Sequence, residues 1–245
     1  MKRMLAGVAA ILVFSALACQ AGLLDDLKQQ VMPALKQESP AKQNAVGDDT
    51  VIKGLKEALA VGTDRAVKAV ARQDGYFGNQ LIKIMMPEKI QNVADVMGKF
   101  GFQKQVDDFV LSMNRAAEKA APQAAGHFAS ALKEMTFEDA KGILKGGNTS
   151  ATEYFRKKTN DKLYNAFKPV VAKSMGEVGV TRYYHDMMGK YEALPLVGKE
   201  TFDLDHYVTD KSLDGLLTML GEEEKKIRTN PVSRTTELLR KVFGK

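Results

Sequence analysis

Residues 50–71 read TVIKGLKEALAVGTDRAVKAVA, with Ile52, Leu55, Leu59, Ala66 and Val70 as the recurring apolar positions. Steps of three, four and seven residues keep side chains on one stripe of a 3.6-residue helix, whereas a strand would alternate at every second residue. The stretch therefore predicts a helix with one buried face.

The same spacing recurs in both directions from this stretch. Pro87 opens a helix carrying Ile90, Val93, Met97 and Phe100, and Gly101 suits the left-handed residue that follows a helix end. Val106, Phe109, Val110, Met113 and Ala117 stripe a third helix that should stop before Pro122, and Phe128, Ala131 and Leu132 mark a short fourth. Thr136 with Asp139 reads as a capped start leading into Ala140, Ile143 and Leu144, after which Gly146-Gly147 breaks the chain. Ser150 with Glu153 has the spacing of a capping box opening a long helix with Phe155, Leu163, Phe167 and Val171. Pro169 lacks an amide, so a kink or break is expected near it, and Gly176 and Gly179 close the helix. Tyr183, Met187, Tyr191 and Leu194 define a further helix ended by Pro195, with residues 195–204 read as a loop. Leu213, Leu216, Leu217, Leu220 and Ile227 stripe the next, and Asn230-Pro231 opens a last one bearing Val232, Leu238, Leu239, Val242 and Phe243. The single strand candidate, Leu81 to Met85, is too short and solitary to build a sheet. The fold class is all-α: a single irregular bundle of about eight helices over residues 50–245.

Two segments precede the bundle. Met1-Lys2-Arg3, an uncharged run from Met4 to Ala18 and the triplet Ala16-Leu17-Ala18 have the layout of a secretory signal peptide within residues 1–21. The run is shorter than the roughly 20 apolar residues needed to span a bilayer. Cys19 is the only cysteine, which excludes a disulfide within the chain. Cleavage before Cys19 would leave it for lipidation and anchor an exported, periplasmic protein to the outer membrane. Cleavage after Ala21 would discard it. Residues 22–49 form a tether with a short amphipathic helix, Leu23, Leu24, Leu27 and Val31, before Pro33 and Pro40. About 28 flexible residues would reach a mean of about 30 Å from an anchored end.

Composition narrows the function. Hydrophobic residues make up 44% of the 245-residue chain, enough for a core. The net charge is +6, and loss of Lys2 and Arg3 would lower it further, while basic residues interleave with acids as in Glu222, Glu223, Glu224, Lys225 and Lys226. This argues against a nucleic-acid partner. No nucleophile elbow or glycine-rich phosphate loop is present. His127, His185 and His206 lack zinc-ligand spacing and read as helix-face residues, so neither metal nor cofactor is expected. Asp203, Asp205, Asp210 and Asp214 suggest a calcium loop, but Val208 stands where its glycine would be needed, and helix capping by Asp205 and Thr209 accounts for them better. Glu222 to Glu224 read as a solvated face, with Glu224 and Arg228 a weak i,i+4 pair.

Several blocks are distinctive: Gly75-Tyr76-Phe77-Gly78-Asn79 with Ile82-Lys83-Ile84, Met113-Asn114-Arg115-Ala116-Ala117-Glu118 with Ala121-Pro122, and Met135-Thr136 with Asp139-Ala140. Tyr154-Phe155-Arg156 with Lys158-Thr159, Asp203-Leu204-Asp205 with Tyr207-Val208-Thr209, and Asn230-Pro231 with Arg234-Thr235-Thr236 follow in order. Over residues 50–244 they resemble a family of uncharacterised bacterial exported proteins, catalogued as Domain of Unknown Function four-one-nine-seven. The resemblance implies an exported helical domain and no catalytic residue.

The candidate ligand site unites Asn114, Arg115 and Glu118 with Tyr154, Arg156 and Thr159 of the long helix. On one helix Asn114 and Glu118 share a face, and a nearby arginine can form a geometrically strict network. Such a set either fixes helix register or receives a polar or anionic headgroup between helices. The expected function is a non-enzymatic cell-envelope protein that binds a partner protein or an amphiphilic small molecule. The alternatives are a metal-independent enzyme using a carboxylate/arginine site between helices, and a structural subunit of an envelope assembly.

Overall fold

The structure is a computed structural model that describes residues 48–193 and 202–233 together with Arg240. The leader, Cys19, the tether helix, Leu194, Pro195 and the apolar residues of the expected last helix beyond Val232 lie outside the described residues.

Eight α-helices and no strand occur among the described residues. They are α1 Asp48–Ala71, α2 Gln91–Lys99, α3 Gln103–Ala120, α4 Ala124–Glu134, α5 Phe137–Lys145, α6 Ser150–Val178, α7 Val180–Glu192 and α8 Leu204–Thr229. Short 3-10 turns at Glu88–Ile90, Ala121–Gln123 and Pro231–Ser233 punctuate them. The long α6 is the hub and packs on α8, α3, α4, α5 and α7. Helix α1 lies against α8 and α4, and α2 and α7 cover α3. The apolar stripe of α1 is buried, with Leu55, Ala66 and Val70 each fully enclosed. Leu81 to Met85 forms no strand, although Ile82 and Ile84 point into the core.

Helix ends follow local chemistry in several places. Thr136 and Asp139 make a reciprocal capping box at α5, and bonding to the Thr136 amide holds the Asp139 carboxyl below its usual range. After α2, Gly101 at φ 83° allows its own amide to bond Gly98 O and that of Phe102 to bond Met97 O, the paired pattern of a left-handed helix stop. Gly179, at φ 82°, ends α6 and opens α7 with a single residue. A run of fully buried alanines, Ala116, Ala117, Ala120, Ala121 and Ala124, lets the α3–α4 turn approach α1 and α6 closely.

Elsewhere tertiary contacts override the local reading. Helix α6 runs through Pro169 without a break, with Phe167 and Val171 buried on either side of it. One missing backbone bond is offset there by core packing. The expected Ser150–Glu153 box does not form, because Ser150 is already helical and Thr149 occupies the cap position. The amides of Ala151 and Thr152 donate instead to Glu224 of α8, at 2.9 and 2.8 Å, and the Thr152 hydroxyl adds a third bond at 2.9 Å. An ionised carboxylate satisfies the positive end of a helix better than a hydroxyl can. Glu224 also receives Arg228 Nε at 2.9 Å, and Arg228 Nη2 donates to Ile143 O at 2.8 Å. Thus one acid–base pair joins the carbonyl end of α5 to the amide end of α6 across Gly146-Gly147, and Glu224 is buried where a solvated face was expected. At α8 the cap is Asp203, which accepts from the His206 amide at 3.0 Å, while Thr209 bonds back to Asp205 O within the helix.

Removing one partner of a buried ion pair leaves the other charge uncompensated. Glu224→Ala is expected to lower unfolding free energy by about 3 kcal/mol or more, read by urea denaturation, with Glu224→Met/Arg228→Met losing less than the single variant.

Candidate functional site

The segment from Arg72 to Pro87 crosses the bundle between α1 and α2 without regular structure, and its placement begins with glycine. A side chain at Gly75 would collide with the carbonyl oxygens of Val70 and Ala69, so only glycine lets the chain fold back on the end of α1. Asp74 just before it adopts φ 61°, uncommon for a residue other than glycine. Tyr76 then enters the core. Its ring is fully buried and its hydroxyl donates to Ser212 O of α8 at 2.6 Å. Gly215 makes room for it, since a Cβ there would lie 2.6 Å from Tyr76 Cε1. Burial, reinforced by Glu118, raises the Tyr76 phenol far above its ordinary value.

Helix α3 supplies the other anchors. Glu118, 4% exposed, accepts the amides of Tyr76 at 3.2 Å and Phe77 at 3.4 Å through Oε1. Its Oε2 takes Arg115 Nη1 at 2.7 Å, and Arg115 Nη2 bonds Asp74 at 2.7 Å. Burial works against the Arg115 cation, but its bonds to Glu118 and Asp74 outweigh that and raise its pKa. One turn back, the fully buried Asn114 accepts the Ile84 amide and donates to Ile84 O, both at 2.8 Å, and its amide also reaches Val110 O. The carboxamide thus stands where a neighbouring strand would be. Two further bonds secure the loop, Asn79 Nδ2 to Met219 Sδ at 3.2 Å and Tyr207 OH to Met85 O at 3.0 Å.

The remaining candidates take other partners. Tyr154 OH donates to Ala131 O of α4 at 2.8 Å, and burial pushes its phenol up to about 12. Arg156 pairs with Asp214 at 3.3 Å on the surface, and the Thr159 hydroxyl bonds back to Phe155 O. The bonds of Asn114, Arg115 and Glu118 therefore run within α3 and to the 72–87 segment, and those of Tyr154, Arg156 and Thr159 to α4, α8 and α6 itself. In the sequence Tyr76 carries no evident role and Glu224 reads as part of a solvated face. Both were open to detection: Glu224 falls on the stripe Leu217, Leu220, Ile227, and a tyrosine between two glycines marks a large ring at a tight turn. A gap of about 10 Å³ beside the Glu224–Arg228 pair, lined also by Leu55, Ala58, Leu59 and Ile227, is no larger than one water. Among the described residues no helix is long and apolar enough to cross a membrane, and no group of three or more His, Cys, Asp or Glu could hold a metal ion.

Fold and site together define an all-helical bundle domain in which buried polar groups on α3 and α8 fasten a loop. The chain belongs to the family described as "Protein of unknown function (DUF4197)", which it matches over residues 45–244. No curated protein and no solved structure matches it.

Asn114→Ala strands both polar groups of Ile84 and is expected to lower stability by about 2 to 4 kcal/mol, with faster hydrogen exchange at the Ile84 amide. A second expectation concerns alkali. Tyr76 and Tyr154 ionise later in the folded than in the unfolded chain, whose tyrosines titrate near 10.0. Their contribution is complete below that pH and is lost as pH rises through the folded values, so stability in urea should fall above pH 10 and fall less in Tyr76→Phe.

Proposed function

We propose that this chain is an exported cell-envelope protein that acts by binding a partner protein through the outer edge of the 79–86 segment, without catalysis of its own. One observation carries the reading: Leu81 is 70% and Met85 57% exposed on a backbone that Asn114, Asn79 and Tyr207 clamp in place. Holding two large apolar side chains in water on a preorganised loop suits recognition, because little chain entropy remains to be lost on docking. The buried carboxylates fit this role better than proton transfer. Glu118 is occupied by two amides and Arg115, and Glu224 by two amides, a hydroxyl and Arg228. The leader-like residues 1–21 support export, with retention at the membrane if the mature chain begins at an acylated Cys19.

A photo-crosslinking residue placed at position 81 or 85 in cells should yield one discrete protein adduct that the same residue at the exposed Lys145 of α5 does not. A small, lipid-sized adduct would make the ligand an amphiphile, and identical labelling from all three positions would overturn the surface. The mass of the mature N-terminus tests export separately: a start at Cys19 or Gly22 is expected, and a retained Met1 would overturn it.

A further inference from the structure

We propose that Met85 is a site of reversible oxidation to the sulfoxide and, resting on the docking reading of the 79–86 edge, that this oxidation releases the partner protein. Among the described residues Met85 is the one methionine that stands in solvent: it is 57% exposed, whereas the core methionines range from Met97 at 0% to Met86 at 7%. Met219 is half-buried, and its sulfur already accepts Asn79 Nδ2 at 3.2 Å. The fold thus separates two methionines that are adjacent in sequence. Asn114 bonds both polar groups of Ile84, with Ile84 and Met86 turned inward and Met85 outward. Tyr207 OH donates to the Met85 carbonyl at 3.0 Å, so the side chain cannot withdraw from water without loss of that clamp.

The chemistry needs access to the sulfur and a peroxide as oxidant. The thioether gives an electron pair to one oxygen of hydrogen peroxide; the S–O bond forms as the O–O bond breaks, and the transferred oxygen passes its proton to the departing hydroxide, which leaves as water. Sulfur is oxidised by two electrons and the peroxide reduced by two. Thiol-dependent reduction reverses the step, with two thiols joined as a disulfide and the oxygen released as water. The product is polar where the thioether was apolar, so burying it against an apolar partner costs free energy unless a donor meets the new oxygen. Met85 lies outside the core cluster, so this change leaves the bundle intact, whereas the same change at Met97 or Met113 would disrupt it. The effect is confined to the binding edge.

The test treats the full chain with hydrogen peroxide, folded and in urea, and reads the tryptic peptide Ile84–Lys89 by mass spectrometry, whose fragments resolve Met85 from Met86. Met85 should oxidise about tenfold faster than Met86 in the folded protein and at the same rate in urea, with circular dichroism unchanged by the first oxidation. In cells, the protein adduct formed from a crosslinking residue at position 81 should fall about tenfold on peroxide treatment, persist under the same treatment in Met85→Leu, and be weak without oxidant in Met85→Gln. No adduct before treatment would overturn the docking edge and the switch with it. An adduct that survives on chains oxidised at Met85, or that Met85→Leu fails to protect, would overturn the switch alone. Equal rates for Met85 and Met86 in the folded protein would remove the selectivity it depends on.

Discussion

A carboxylate taken out of water must be met by donors, or its burial costs several kcal/mol. Two glutamates impose that requirement on this bundle. Glu118 collects the amides that begin the 76–79 turn, and Glu224 collects the amides that begin α6. Each is steadied by an arginine on its own helix, three residues away for Arg115 and four for Arg228. Helix pairs at those spacings are weak when solvated, but the carboxylate gains geometric strictness once the backbone of another element completes its shell.

These two junctions link parts of the molecule that helix packing alone would leave loosely related. Through Glu224 and Arg228, α8 joins the end of α5 to the start of α6, which are separated in sequence by two glycines with little preference of their own. Through Asn114 and Glu118, α3 holds a long irregular segment so that its apolar side chains divide cleanly. Tyr76, Ile82, Ile84 and Met86 face inward, and Leu81 and Met85 face water. The inward set fills the core beside Gly215, where even a methyl group would strike the tyrosine ring. The outward set is therefore presented on a fixed backbone.

The helices themselves were legible because a 3.6-residue stripe depends only on neighbours along the chain. So were the Thr136–Asp139 cap and the Gly101 and Gly179 stops, each a bond between residues a few positions apart. The Ser150–Glu153 spacing was equally local in form, yet the Ser150 and Glu153 amides bond the Gly147 and Thr149 carbonyls, and a carboxylate more than seventy residues away caps the amides between them. The break that Pro169 could have imposed is absent for a related reason. Its cost is local, but the burial of Phe167 and Val171 that holds the helix together comes from other elements. Of the six candidate residues, Arg115 and Glu118 share one network and Asn114 separately clamps Ile84 of the same segment, whereas Arg156 and Thr159 satisfy themselves at the surface and within their own helix.

The order of amphipathic stripes and stop signals in the chain was enough to determine an all-helical bundle, since each helix declares its buried face through its own spacing. Which polar residues would be buried, and against which backbone groups, was decided only when α3 and α8 were brought against segments distant in sequence. A glutamate on a helix reads alike whether its face meets solvent or an unsatisfied helix end, and only packing distinguishes the two.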